Sequence, residues 1–170
     1  MKRIFLFLVL VLIAAMAFAQ DEGGLGFEKT GIVFGFASVL TPTGFTDAYQ
    51  AGIGVKAWLD DQNAVRGVFR LAFVPDQGAG SQTDLGLGAA WERHLGSGPV
   101  TPYMGAFAGT SIDIQNGSDV DLYLGGVFGG EMPVMDNLNI FGEYDLRFLI
   151  DDIGFWIDNV ANFGFILYFD

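Results

Sequence analysis

The sequence predicts an all-β fold: a closed, up-and-down barrel of eight antiparallel strands over residues 30–169. Three observations predict it. The chain is 51% hydrophobic with 17 phenylalanines and 25 glycines, yet no apolar run beyond its first residues approaches the ~20 that a membrane helix needs. Apolar residues instead recur at every second position in eight segments. That is the strand period, because successive side chains point to opposite faces. The connections also alternate in length. Those at residues 60–63, 95–99 and 135–137 are tight, while those at 41–48, 75–82, 115–119 and 151–158 are mostly longer. All the short turns therefore fall at one end, as in an up-and-down outer-membrane barrel with both termini on the periplasmic side.

Ahead of the barrel, Lys2 and Arg3 form a positive n-region, residues 4–15 an apolar core, and Ala17-Phe18-Ala19 a small-x-small cleavage site before Gln20. Residues 1–19 read as a secretory signal peptide that is removed on maturation, and residues 20–29 as a polar lead-in. No cysteine is present, which excludes a disulfide framework and a lipoprotein anchor. Without Lys2 and Arg3, 6 basic residues face 20 acidic ones, a net charge of −14. So acidic a chain is not expected to bind nucleic acid or anionic headgroups.

The first segment, residues 30–40, sets Ile32, Phe34 and Phe36 against Gly31, Gly35 and Ala37. The second, 49–60, sets Tyr49, Ala51, Ile53, Val55, Ala57 and Leu59 against Gln50, Gly52, Gly54, Lys56 and Trp58. In the third, 64–74, Val65, Gly67, Phe69, Leu71 and Phe73 oppose Arg66, Val68, Arg70 and Ala72. In the fourth, 83–94, Leu85, Leu87, Ala89 and Trp91 oppose Asp84, Gly86, Gly88, Ala90, Glu92 and His94. The fifth, 100–114, alternates poorly and its faces stay unassigned. The sixth, 120–132, sets Leu122, Leu124 and Phe128 against Asp121, Tyr123, Gly125, Gly129 and Glu131. The seventh, 138–150, sets Leu138, Ile140, Tyr144, Leu146, Phe148 and Ile150 against Asn139, Glu143, Asp145 and Arg147.

The eighth segment, 159–169, carries Phe169, Leu167, Phe165, Phe163 and Ala161 on one face and Tyr168, Ile166, Gly164 and Asn162 on the other. A terminal strand this greasy is either an exposed edge that invites aggregation or the strand that closes a barrel. A soluble barrel would bury the aromatic face; a membrane barrel turns it to lipid. The second arrangement is expected here on three grounds. The polar face is rich in glycine and alanine, which a narrow eight-stranded lumen needs. Aromatics gather near segment ends (Tyr49, Phe73, Trp91, Phe148 and Phe169), where interfacial girdles sit. The apolar face carries almost no charge, Arg93 beside a turn being the clear exception. On this reading Leu146 should resist replacement by arginine, and the lumen-facing Gly125 should accept alanine more readily.

At this point the chain resembles the eight-stranded outer-membrane barrels of the OmpA transmembrane-domain and OmpX type. The likeness rests on Pro102-Tyr103-Met104-Gly105-Ala106-Phe107-Ala108-Gly109 and on Gly142-Glu143-Tyr144-Asp145-Leu146-Arg147-Phe148. The closing alternation Phe163, Phe165, Leu167, Phe169 resembles the C-terminal signal read by the barrel-insertion machinery, although Asp170 follows it. The resemblance implies Sec-type export, periplasmic chaperones and insertion machinery as partners during biogenesis, and residence in the outer membrane of a diderm bacterium as a monomer in contact with lipid.

The candidate site is the set of lumen-facing charges: Lys56, Arg66, Arg70, Glu92, Glu131, Glu143, Asp145 and Arg147. Counting from the turns places Arg66, Glu92, Glu131 and Glu143 toward the tight-turn end, with Lys56 and Arg70 near the middle. The third and seventh strands of eight face each other, so the arginines are expected to reach Glu143 across the lumen. Buried charges persist only when paired. Eight strands enclose little more than their own side chains, so the network is expected to plug the barrel rather than line a pore.

His94 is the sole histidine, beside a turn with Ser97 nearby, and reads as an interfacial residue rather than a catalytic base. The loop acids Asp47, Asp76, Asp113, Asp119, Asp151, Asp152 and Asp158 do not have calcium-loop spacing, and the Gly86-x-Gly88 pair lacks a third glycine and a following helix. No metal, cofactor or enzymatic activity is therefore expected. The expected function is a structural or surface role in the outer membrane. A narrow cation-preferring pore is the alternative, and a soluble secreted β-barrel binding an apolar ligand a further one.

Overall fold

The computed structural model describes residues 29–37, 52–74, 82–113, 120–150 and 155–169. Its strands are β1 (Lys29–Ala37), β2 (Gly52–Trp58), β3 (Asn63–Val74), β4 (Gln82–His94), β5 (Thr101–Asp113), β6 (Val120–Met135), β7 (Leu138–Ile150) and β8 (Phe155–Phe169). Each pairs antiparallel with its neighbour in sequence. The barrel closes where β8 runs back along β1, from Thr30 opposite Phe169 to Ala37 opposite Asn162. Closure pairs the greasy end of β8, from Asn162 to Phe169, with β1, which resolves the hazard that this stretch would otherwise pose as an edge. The signal segment, the acidic residues Asp47, Asp76, Asp119, Asp151 and Asp152, and Tyr49 lie outside the described residues.

Two strands differ from the pattern-based bounds. β6 runs on to Met135, so the connection to β7 shrinks to Asp136 and Asn137. Its register with β7 shifts between Pro133 and Met135. A proline has no N–H to give the ladder, and a local irregularity accommodates it. β8 begins at Phe155, inside the span that turn composition predicts as loop. Trp156 and Ile157 pair with Leu149 and Phe148, and Asp158 stands opposite Arg147 within the sheet rather than in a loop.

The period of two decides what points where. Val33, Ala64, Val68, Ala90, Val127, Val160, Ile166 and Tyr168 are buried inside, while Ile53, Val55, Phe69, Leu124, Phe128, Tyr144 and Phe163 are exposed on the outer wall. β5, unassigned from its sequence, turns Tyr103 and Phe107 inward and Met104 outward. Four buried interior aromatics stand directly opposite a glycine of the adjoining strand. Tyr103 faces Gly129, Phe107 faces Gly125, Phe141 faces Gly164 and Tyr168 faces Gly31. The rings lie over the space a β-carbon would fill. A methyl on Gly125 would meet the Phe107 ring at 2.6 Å, and one on Gly164 the Phe141 ring at 2.6 Å. Gly125 and Gly164 are thus sockets of interior rings, and alanine at Gly125, expected to be milder than arginine at Leu146, would still press on a ring.

Candidate functional site: the buried charge network

The side chains of the network enter from strands that meet at the tight-turn end. β2 carries Lys56 and Trp58 inward just before its turn, and β3 carries Arg66 just after it. β4 contributes Glu92 and His94, β6 contributes Glu131, and β7 contributes Asn139 and Glu143. The β2–β3 turn is tied by Asp60, whose Oδ1 accepts from the backbone N–H of Gln62 at 2.8 Å and of Asn63 at 2.7 Å. The Asn63 side-chain amide donates to the same carboxylate, 2.8 Å from Oδ2. That local turn fixes the register that sets Lys56 opposite Arg66.

Lys56 Nζ lies 2.7 Å from Glu92 Oε2 and 2.6 Å from Glu131 Oε2. Arg66 Nε lies 2.8 Å from Glu92 Oε1, and Arg66 Nη2 lies 2.6 Å from Glu143 Oε2. Five charges form one continuous chain, Glu131–Lys56–Glu92–Arg66–Glu143, that crosses from β2 to β6 and from β3 to β7. All five are buried, and Glu92 has no exposed surface. Neutral donors complete the ends of the chain. Glu131 Oε1 accepts from Tyr168 OH at 2.7 Å and from Asn139 Nδ2 at 2.6 Å, and Glu143 Oε2 accepts from Tyr103 OH at 2.7 Å. Tyr168 OH in turn accepts from Trp58 Nε1 at 3.0 Å. Aromatic faces line the cations, with Lys56 Nζ 5.3 Å from the Tyr103 ring centre and the Arg66 guanidinium 5.2 Å from that of Phe141.

His94 is not interfacial. It is buried between Trp58 and Tyr103, ring centres 4.3 and 5.1 Å away. Its Nε2 lies 3.1 Å from Lys56 Nζ. The same nitrogen is 3.6 Å from Glu92 Oε2, while Nδ1 is buried without a hydrogen-bond partner. The period of β4 places His94 on the same face as Glu92, and that signal outweighs its nearness to the turn. Ser97 is exposed, and Nε2 faces the lysine rather than a hydroxyl.

The remaining charges form a separate layer toward the long-loop end. Asp145 accepts from Asn162 Nδ2 at 2.6 Å. Arg147 is buried with its guanidinium 5.9 Å from the Tyr123 ring centre, and Arg70 is half-buried two inward positions beyond Arg66. Arg66 makes the expected contact with Glu143, and Arg70 stands two inward positions further along β3, within electrostatic reach of Tyr123. The hydrogen-bonding partners Trp58, Tyr103, Asn139, Asn162 and Tyr168 were absent from the sequence-derived set of charges. All but Tyr103 stand on strand faces whose alternation already turns them inward. Phe163, Phe165, Leu167 and Phe169 lie along the outward face of β8, opposite Phe36, Phe34, Ile32 and Thr30 of β1. Phe34 and Phe165 stack with centres 4.7 Å apart, so aromatic contact joins the seam outside the backbone ladder.

Fold and interior together define a closed, up-and-down, eight-stranded antiparallel barrel filled by a charged network. No protein-family model, curated protein or solved structure matches the chain.

Proposed function

We propose that the protein is an integral outer-membrane barrel with a structural or surface role and no enzymatic activity, its lumen closed by the Glu131–Lys56–Glu92–Arg66–Glu143 chain. One observation carries this reading: the barrel is inside out relative to a soluble one. Ile53, Leu124, Phe128 and Phe163 of the wall are 59, 51, 52 and 50% exposed, while Lys56, Arg66 and Glu92 are 1, 3 and 0% exposed. In water such a wall forfeits roughly 25 cal/mol for each Å² of apolar surface left wet. Against lipid the same wall is at home, and closure satisfies every strand's backbone without an edge. The outward stripe of β8 fits the aromatic signal that insertion machinery reads, in keeping with the resemblance to barrels of the OmpA transmembrane-domain and OmpX type.

The experiment is expression in a diderm host followed by fractionation. The protein is expected with the outer membranes, extractable only by detergent, and to migrate on gels differently before and after boiling. A monomer that stays in solution without detergent would overturn the proposal. Planar-bilayer recording tests the closed lumen, with no steady current expected from the wild type.

A further inference from the structure

Among the described residues Asp145 is the one fully buried acid that the charge chain leaves out. It has no exposed surface, and the residues beside it in register are the buried valines Val127 on β6 and Val160 on β8. Its Oδ2 accepts from Asn162 Nδ2 at 2.6 Å, while its Oδ1 and the Oδ1 of Asn162 are both buried without a hydrogen-bond partner. Two buried acceptors that lack a donor, on residues already bonded to each other, cost free energy that folded proteins rarely tolerate.

The surrounding charges relieve the site only in part, for Arg66 lies within electrostatic reach but so do Glu143 and Glu92. Arg66 on β3 is engaged by Glu92 and Glu143, and Lys56 on β2 by Glu92 and Glu131, so two cations already serve three carboxylates. Glu143 and Arg147 are the inward neighbours of Asp145 on β7 itself, and Arg147 is directed at the Tyr123 ring. From β4, Glu92 adds a further negative charge within electrostatic reach, and from β5, Tyr103 spends its hydroxyl on Glu143. An ionised Asp145 would be a fourth carboxylate, held by a single neutral amide between two valines.

We propose that Asp145 is a proton-binding site, held as the neutral acid in a reciprocal pair with Asn162. Asp145 Oδ1–H donates to Asn162 Oδ1 while Asn162 Nδ2–H donates to Asp145 Oδ2. One proton taken from water supplies the missing donor, satisfies both orphaned oxygens and removes the unpaired charge. A metal ion fits less well, since two oxygens are far fewer than the six to eight that calcium takes. The inference stands on the barrel's interior alone and does not depend on what surrounds the wall.

The test is carbon NMR of the full chain, labelled at the aspartate carboxyl carbon and folded in detergent micelles at neutral pH. Infrared difference spectra of wild type against Asp145→Asn accompany it. One aspartate carboxyl is expected at the position of a protonated acid. Asp145→Asn should abolish the matching infrared carbonyl band, and Asn162→Leu should shift it to higher frequency by removing the reciprocal partner. Wild-type spectra in which every aspartate is ionised overturn the proposal and need no variant that folds. So does a protonated-acid band that survives Asp145→Asn or that Asn162→Leu leaves in place. A carboxylate band that answers to added sodium or calcium chloride rather than to pH overturns it in favour of a bound cation.

Discussion

Arg66 on β3 and Glu143 on β7 meet across the barrel, Nη2 lying 2.6 Å from Oε2, with both side chains buried. Neither residue could remain there alone. A buried charge that loses its partner is stranded, whereas removing both together removes the electrostatic demand. Here the Glu143 oxygen also accepts from Tyr103, and Arg66 also holds Glu92. The pair is therefore the junction at which one wall of the barrel is tied to the other.

Glu143→Gln is expected to cost roughly 3–5 kcal/mol, because the Arg66 charge stays buried with half its compensation gone. Arg66→Met together with Glu143→Gln should cost less than the sum of the two single changes. Urea unfolding of the four proteins in lipid vesicles gives the coupling energy. Additive costs would mean that solvent already screens the pair and that the interior is wetter than its burial indicates.

Facing can be tested three residues further along β7 from Glu143. Leu146 points outward and is 40% exposed. Leu146→Arg should therefore hinder insertion by about 2–4 kcal/mol if the position lies near the bilayer midplane. Folding yield in vesicles is the measurement, and normal insertion of the variant would contradict a lipid-facing wall.

How much of this was legible in the sequence differs from strand to strand. β7 and β8 mostly alternate large apolar with polar or small residues, so most of their inward and outward sets follow from the period alone, with Phe141 and Ile166 inside as exceptions. β5 reverses the rule: its large Tyr103 and Phe107 go inside and its small Ala106 and Ala108 outside. Those inward rings are admitted by Gly129 and Gly125 on the next strand, a relation that appears only once the register is known. The encounter of Arg66 with Glu143 follows from counting strands around a barrel of eight. The split of the charges into a five-membered chain and a separate Asp145 layer depends on the stagger of the strands, which no single strand's pattern encodes.

Asp60 supplies a pH-dependent prediction outside the barrel wall. The Asn63 side-chain amide, and after it the Gln62 backbone N–H, hold its carboxyl below the ordinary carboxylate range. A lowered folded value means that the ionised form favours the folded state. The contribution is complete above the unfolded value, near pH 4, and is lost as pH falls through the lower folded value. Asp60→Ala should thus lower the thermal midpoint at neutral pH, and the gap from wild type should close in acid. A gap that is unchanged from neutral to strongly acidic pH would show that the turn does not depend on the charge.

The ring-over-glycine arrangement makes the sharpest mutational contrast, since two glycines on adjacent strands stand in opposite surroundings. A β-carbon on Gly125 would meet the Phe107 ring at 2.6 Å and also press on the Leu146 carbonyl, whereas one on Gly142 finds nothing within 4 Å. Phe107 cannot swing away cheaply, because it packs in a cluster with Ala90, Tyr103, Tyr123 and Val127. Gly125→Ala is therefore an overpacking change, expected to cost on the order of 1–3 kcal/mol. Gly142→Ala adds a methyl to the outer wall and reduces the freedom of the unfolded chain, so it should be neutral or slightly stabilising. Phe107→Leu combined with Gly125→Ala should recover part of the loss, because the smaller side chain vacates the space the methyl needs. Urea midpoints in vesicles decide the matter. Equal effects of alanine at positions 125 and 142 would mean that the interior ring does not rest on the glycine and that the two faces are packed alike.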